Sequence, residues 1–182
     1  MDGEQRYEDH PINFQPEMGY FDAVDVRVTM WRNLFSGTAG NTYGHHGVWP
    51  MHRSENRYFP NTWELALHRP AAESVRFLAA FTERNDCALF EPIRDAILDN
   101  DSGANYVAAV LVRGENRAHL LSPCGIPEKL NPAYFPTAFR EIRAFQPGDG
   151  REIPVEITGD GAFFFPVRPC GRGQDAVITL VW

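Results

Sequence analysis

Residues 25–49 read DVRVTMWRNLFSGTAGNTYGHHGVW, a helical pattern that runs into a glycine-rich loop. Apolar side chains recur mostly three or four residues apart, the period of one helix face; they are Val24, Val28, Trp31, Leu34 and Phe35. Asp22 places an acidic group in the first turn, and Gly37 is suited to end the helix. The pattern therefore predicts a helix from Phe21 to Phe35.

The glycine-rich loop from Gly37 to Trp49 holds the residues best suited to bind a ligand. Its glycines allow close backbone approach, and its rings are those of Tyr43, His45, His46 and Trp49. Polar rings beside an indole suit a sugar, which needs apolar faces and hydrogen bonds together. A tight turn with buried aromatics explains the same composition. A metal site from the histidines, with His52, is a third interpretation, although their spacing matches no zinc pattern.

The remainder of the first half alternates loops with short regular segments. We expect a short strand at residues 38–43 and a long structured loop at residues 45–61. Pro70 suits the first position of a helix, whose apolar face comprises Val75, Leu78, Ala79 and Phe81. Residues 93–98 are expected to form a short helical or turn segment.

From about residue 104 the pattern changes to short strands between turns. Residues 106–112 are apolar on both faces, as in a central strand, and residues 118–121 are expected to pair with them as a hairpin. Further strands are expected at 139–145, 153–157, 162–167 and 176–182. We predict a small antiparallel β domain of sandwich type over residues 104–182, packed against an α/β first half over residues 1–98.

Composition and charge exclude several classes of protein. The chain has 182 residues with 17 Lys and Arg against 24 Asp and Glu, a net charge of −7 that disfavours nucleic-acid binding. The longest apolar run, residues 106–112, is too short for a membrane span. Neither a phosphate-binding glycine motif nor a CxxC pair occurs. Cys124 and Cys170 either pair with each other or remain free thiols.

Two carboxylates near the start of the sequence are candidates for catalysis. Glu4 and Glu8 lie in GEQRYE and would point to the same face if this stretch were a strand. Paired carboxylates serve as nucleophile and acid/base in glycoside hydrolysis. Two glutamates that are merely solvated explain the pattern equally simply.

Taken in order, several segments resemble the C-terminal part of the apiosidase-like glycoside hydrolases. They are GEQRYE, DVRVTMWRNLFSGTAGNTYGHHGVW, WELALHRPAAESVRFLAAF, RAFQPGDG, GAFFFPV and DAVITLVW. In that family a (β/α)8 barrel is followed by a small β domain that is often labelled collagen-binding. The resemblance extends over essentially the whole chain and is most specific from Arg27 to Trp49.

The resemblance implies a register and a set of site residues. GEQRYE would be the seventh barrel strand, residues 21–35 the seventh helix and residues 39–43 part of the eighth strand. Glu4 would be the nucleophile, with Glu8 as the fallback. Tyr43, His46 and Trp49 would line the sugar subsite, and neither a metal nor a cofactor is expected.

The length of the chain leads to a further expectation. A barrel of this kind needs about 250 residues, so we expect Met1 to be an internal start and the chain to be a fragment of a longer enzyme, inactive alone without its acid/base strand. Its partners would be a polysaccharide or oligosaccharide and the missing part of the barrel, and the parent would be exported. The alternative is a carbohydrate- or protein-binding β module without catalysis.

Overall fold

The computed structural model describes residues 5–182, which form three layers: helices, a five-stranded sheet and a four-stranded sheet. The helices are α1 (Ala23–Phe35), α2 (Trp63–Ala66) and α3 (Pro70–Arg84). The strands are β1 (Phe90–Pro92), β2 (Ile97–Leu98), β3 (Ala108–Val112), β4 (Arg117–Ser122), β5 (Glu128–Leu130), β6 (Glu141–Phe145), β7 (Glu156–Ile157), β8 (Ala162–Phe164) and β9 (Ala176–Val181). Short 3-10 turns occupy Ile12–Phe14, Pro16–Met18 and Cys87–Leu89.

Helix α1 confirms the predicted helix, and a reciprocal pair of side-chain hydrogen bonds caps its N-terminus. The Asp22 carboxylate accepts hydrogen bonds from the backbone N–H groups of Val24 and Asp25, and the Asp25 carboxylate accepts one from the N–H of Asp22. This reciprocal arrangement satisfies backbone donors that have no partner inside the helix. Arg172 adds two 2.7 Å contacts to Asp22, which link the C-terminal region to the start of α1.

Both sheets are antiparallel throughout. The five-stranded sheet has the order β1-β3-β4-β9-β6 and the four-stranded sheet the order β2-β5-β8-β7. The predicted hairpin is confirmed as β3 and β4, in which Ala108 lies opposite Leu121. A mixed architecture of helices and antiparallel strands is thus confirmed at the level of fold class. The predicted boundary between domains at residues 98–104 stays a prediction.

Three local expectations differ from the structure, and two of the observed strands were not expected. Residues 38–43 form no strand, because they make no ladder with a neighbouring strand among the described residues. The end of the 93–98 segment is strand β2 rather than a helix or turn, since it pairs with β5. Only the last two residues of 153–157 form a strand, paired with β8. Strands β1 and β5 were not predicted, because strands of three residues carry no clear period.

The five-stranded sheet is buried on both faces. On one face, Trp31 and Phe35 of α1 and Phe81 of α3 pack against Val110 and Val177. On the other face, a second cluster joins it to the four-stranded sheet; its members include Ala109, Leu120, Leu130, Phe163, Ile178 and Leu180. Burial on both faces explains why the sequences AAVLV, RAHLLS and AVITLV lack the alternation of a half-exposed strand.

A buried ion pair fixes α1 to the start of β9. The guanidinium of Arg27 donates two hydrogen bonds of 2.7 Å to the carboxylate of Asp175, whose side chain is fully buried. Gln146 donates a third hydrogen bond to the same carboxylate, at 3.3 Å. A bidentate pair of this kind determines both the distance and the orientation of the two elements.

His119 lies in the helix-facing core and makes this packing dependent on pH. Its Nδ1 is 3.0 Å from the hydroxyl of Thr179, and its ring contacts those of Phe35, Phe81 and Phe90. Burial, with a smaller contribution from the charge of Arg117, lowers the pKa of His119 to about 4. The ring is therefore neutral at pH 7.

We expect acid to destabilise the fold through His119. Its folded pKa lies below that of the unfolded chain, so the unfolded state binds more protons between pH 6.5 and about 4, and stability falls as the pH is lowered through this window. The expected loss is about 2 kcal/mol at pH 5 relative to pH 7. Denaturant unfolding of wild type and His119→Leu should show a shallower pH dependence in the variant.

The exposed His68 supplies the matched control for this measurement. His68→Leu should leave the dependence of the unfolding free energy on pH unchanged. Equal pH slopes for wild type and His119→Leu would contradict the role assigned to His119.

The described part of the chain also answers two expectations from composition. Within residues 5–182, no helix combines the length and apolar character that crossing a bilayer requires. Cys87, Cys124 and Cys170 are free thiols.

Candidate functional site

A cleft of about 600 Å³ opens beside the N-terminal end of the described chain. It is lined by Gln5, Arg6, Tyr7, His10, Phe14, Phe21, His46, Trp49, Tyr58 and Phe59. Three stretches contribute these residues: 5–21, 46–49 and 58–59. Within residues 5–182 the lining contains no carboxylate.

Two large aromatic side chains of the cleft are held in solvent. Trp49 is 82% exposed and Phe14 is 71% exposed. Isolated apolar side chains on a surface are ordinary, but aromatic rings that share one concave site indicate a binding surface. Flat rings of this kind stack against the apolar faces of a ligand.

The inner wall of the cleft is a stack of rings around Phe59. His46 stacks on one face of Phe59, with 4.4 Å between ring centroids and 11° between planes, and His52 stacks on it at 4.1 Å. His10 and Tyr58 meet His46 edge to face. Burial, together with the neighbouring His10, lowers the pKa of His46 to about 4, so the His46 ring is uncharged near pH 7.

Polar atoms without partners also lie at the cleft. The side chain of Gln5 is buried, and neither its nitrogen nor its oxygen has a hydrogen-bond partner among the described residues. Nε2 of the buried His46 is likewise unpartnered in this part of the chain. Buried polar groups are rarely left unsatisfied, so this end of the cleft differs from an ordinary core.

A carboxylate behind the cleft collects hydrogen bonds from three side chains. Asp9 Oδ2 is 3.0 Å from His45 Nε2 and 2.6 Å from Asn61 Nδ2, and Asp9 Oδ1 is 3.0 Å from a guanidinium nitrogen of Arg69. Although burial opposes its charge, the hydrogen bond from His45 and the charge of Arg69 hold the pKa of Asp9 below its ordinary value. Asp9 is therefore ionised and fully engaged.

Glu8 is buried and faces helix α3 rather than the cleft. It is 1% exposed, and its Oε2 accepts a hydrogen bond of 2.9 Å from the backbone N–H of Ala71. Arg69 lies 3.7 Å from its other oxygen. Burial raises the pKa of Glu8, against the opposing effects of the Ala71 hydrogen bond and of Arg69. In this position the carboxylate accepts a hydrogen bond from a backbone N–H that has no partner inside α3. Its negative charge also interacts favourably with the positive, N-terminal end of the helix dipole.

The fold places the remaining predicted site residues in different locations. His46 and Trp49 line the cleft, whereas Tyr43 packs against the helix-facing core. Burial raises the pKa of Tyr43, whose hydroxyl has no hydrogen-bond partner among the described residues. Glu4 lies outside the described residues. The catalytic and binding assignments of these residues stay predictions.

Sequence reasoning missed most of the cleft, since only His46 and Trp49 of its ten lining residues were predicted as site residues. His10, Phe14, Tyr58 and Phe59 carry no motif, and they converge only because the chain folds back on itself. The one available signal was the length of the 45–61 loop, since long loops inside domains are commonly functional. The metal interpretation finds no support: within residues 5–182, no group of three or more His, Cys, Asp or Glu is placed to hold an ion.

We expect the two substitutions of Glu8 to differ in stability. Glu8→Gln keeps an oxygen that accepts from Ala71, so the free energy of unfolding should change by less than about 1 kcal/mol. Glu8→Ala leaves a buried backbone N–H without a partner and should lose about 2 kcal/mol. Denaturant titration at pH 7 measures both values, and equal losses for the two variants would contradict the helix-capping role.

Residues 1–88 match the model of the family described as "Apiosidase-like, catalytic domain". The family resemblance is thereby confirmed over these residues. No curated protein matches the chain.

Two solved structures that share this fold carry glycoside hydrolase titles. One, titled "Glycoside hydrolase", is 20% identical in sequence and superposes with a TM-score of 0.80. The alignment covers 96% of the present chain and 40% of the glycoside hydrolase chain. Another, a glycoside hydrolase family 5 protein from Bacteroides vulgatus ATCC 8482, is 20% identical and superposes with a TM-score of 0.82. The alignment covers 96% of the present chain and 39% of the Bacteroides chain. This likeness establishes the fold, and the chain spans about 40% of the length of these structures. The family match over residues 1–88, together with this shared fold, relates the chain to glycoside hydrolases.

Proposed function

We propose that this apiosidase-like chain is the C-terminal part of a glycoside hydrolase and that its aromatic cleft holds a saccharide substrate. The observation that carries the proposal is the 82% exposed Trp49, which lines a concave site within residues 1–88, the part that matches the catalytic-domain family. Sugar rings present apolar faces edged with hydroxyl groups, and an exposed indole above polar side chains suits both.

One backbone contact supports the barrel register. Glu8 and His45 form an isolated parallel bridge, and the N–H of His46 lies 3.3 Å from the carbonyl oxygen of Glu8. Parallel neighbours joined through a helix are the repeating unit of a (β/α)8 barrel. In this proposal GEQRYE takes the place of the seventh strand, α1 is the seventh helix, and residues 39–43, which form no ladder among the described residues, take the place of the eighth strand. The cleft then lies at the C-terminal ends of two neighbouring strands, where barrel active sites lie.

Catalysis in the proposed parent enzyme requires two carboxylates that face each other across the sugar. The family resemblance assigns the nucleophile, or a carboxylate that assists the attack on the anomeric carbon, to Glu4. Glu8 stays the fallback; its helix-capping contact and burial favour a supporting role. A second carboxylic acid on another part of the barrel would protonate the leaving oxygen. The substrate class that the family suggests is a plant or bacterial polysaccharide, such as pectin at its apiose residues.

Residues 104–182 support this site mechanically in our proposal. Their strands β3, β4 and β9 form the surface on which α1 and α3 pack. A separate binding module would be expected to present several exposed aromatic rings on the β sheets. In residues 104–182, Tyr134 is the exposed aromatic side chain, so the cleft is the better candidate for saccharide binding.

We expect Trp49→Ala to weaken saccharide binding by at least tenfold, because it removes the exposed stacking surface without disturbing the core. Isothermal titration with apiose-containing pectic oligosaccharides, together with xylan and mannan oligosaccharides, measures the effect. Tyr134→Ala, which removes an exposed aromatic ring in the β region, is the matched control and should bind as wild type does. Loss of binding in Tyr134→Ala but not in Trp49→Ala would favour a binding β module instead.

We expect residues 1–182 alone to hydrolyse none of these oligosaccharides, because no second carboxylate faces the cleft within residues 5–182. Release of reducing sugar, followed by chromatography of the products, provides the measurement. Turnover by this chain that disappears in Glu4→Gln would overturn the expected inactivity while supporting Glu4 as the nucleophile.

A further inference from the structure

We propose that Asp9 is a positioning residue of the cleft: its buried carboxylate holds the segments that carry His10, His46 and Phe59 in one arrangement, and saccharide affinity depends on it. The inference rests on the proposed function and assigns a role at that site to a residue that does not itself line the cleft. The contacts of Asp9 are present in the ligand-free protein, so their effect on the cleft can be tested without any saccharide.

The contacts of Asp9 reach one stretch of the cleft directly and come within two residues of the other two. Its side chain bonds to His45 and Asn61, at 3.0 and 2.6 Å. Its backbone N–H donates a hydrogen bond of 2.9 Å to the carbonyl oxygen of Phe21, which is a lining residue. Arg69, at 3.0 Å, anchors the same carboxylate to the start of α3.

Each partner of Asp9 is close in sequence to a residue of the cleft wall. His45 directly precedes His46, Asn61 follows Phe59 by two residues, and Asp9 itself directly precedes His10. The rings of these three wall residues are in contact, with centroids 4.5 Å apart for His10 and His46 and 4.4 Å apart for His46 and Phe59. One carboxylate therefore sets the spacing of the backbones that present the ring stack.

The protonation of His45 follows from its neighbours. The backbone N–H of Gly47 donates a hydrogen bond of 2.9 Å to His45 Nδ1, which must therefore be an acceptor. The proton of the ring is then on Nε2, which donates to Asp9. The imidazole thus connects the turn at Gly47 to the carboxylate, and both ring nitrogens are used.

The backbone of Asp9 indicates that the position is held by its surroundings. Its φ angle is 63°, in the left-handed region that residues other than glycine seldom adopt. Aspartate and asparagine tolerate this conformation better than other side chains do. Such a conformation persists where the surrounding contacts determine it, and here those contacts are the ones just described.

The substitution Asp9→Asn tests whether the hydrogen bonds to the carboxylate hold the cleft segments in place. Asparagine keeps the size of the side chain and its tolerance of a positive φ, but it replaces one acceptor oxygen with an NH2 donor. That donor would face the N–H groups that now converge on the carboxylate. The substitution therefore disturbs the hydrogen bonds while it leaves the backbone preference intact.

The experiment combines hydrogen exchange with saccharide titration in wild type, Asp9→Asn and Asp160→Asn. Asp160 is an exposed carboxylate in the turn between β7 and β8, outside the cleft lining, and supplies the matched control. In Asp9→Asn we expect amide exchange of residues 45–61 to rise at least tenfold, with exchange in β3, β4 and β9 unchanged. We also expect saccharide affinity to fall at least tenfold at a temperature at which all three proteins are fully folded by circular dichroism.

The two readouts separate the possible failures. Unchanged exchange of residues 45–61 in Asp9→Asn overturns the positioning role, and so does a rise that extends equally over β3, β4 and β9, which would indicate general destabilisation. Local loosening without loss of affinity overturns the link to binding. If the wild type binds none of the saccharides but amide exchange in Asp9→Asn rises only in residues 45–61, the result supports the positioning role of Asp9 and contradicts the proposed function.

Discussion

The five-stranded sheet must be covered on both faces, and the remaining architecture follows from this constraint. Strands β3, β4 and β9 carry apolar side chains on both sides, so neither face can remain in water. Helices α1 and α3 cover one face and the four-stranded sheet covers the other. The pair of Arg27 and Asp175 then fixes where α1 lies against the start of β9. Helix α1 is thereby placed by a residue 148 positions away in the sequence.

The candidate cleft is built on this frame by a second, polar layer of contacts. Glu8 and Asp9 are consecutive, yet they bond in different directions: Glu8 to the first turn of α3, and Asp9 to the 45–61 loop. Arg69 is within ion-pair distance of both carboxylates. A long loop would otherwise have considerable conformational freedom. Anchored at His45 and Asn61, it presents Trp49 to solvent while its base remains buried.

The chemistry of the cleft suits recognition more readily than catalysis. Its described lining combines aromatic rings, imidazoles, one amide and one guanidinium, without a carboxylate. Glycoside hydrolysis by two carboxylates needs groups of the opposite kind, placed on either side of the bond that breaks. In the proposed function, the cleft is accordingly the substrate-binding side of a larger site, to which other elements of a barrel would contribute the acid.

Local pattern was enough to determine α1, α3, the β3–β4 hairpin and the last strand, because each has a clear apolar period, a capping residue or a turn of its own. The family resemblance over residues 1–88 was also accessible from the sequence, since the helix and glycine-rich loop of residues 25–49 form one continuous motif. The short strands β1, β2 and β5 were decided by pairing with distant partners. The cleft was likewise decided by tertiary structure: Phe14, His46 and Phe59 have no common sequence pattern, and hydrogen bonds to Asp9 bring their segments together. A carboxylate that binds residues 36, 52 and 60 positions away leaves no periodic signal in the sequence.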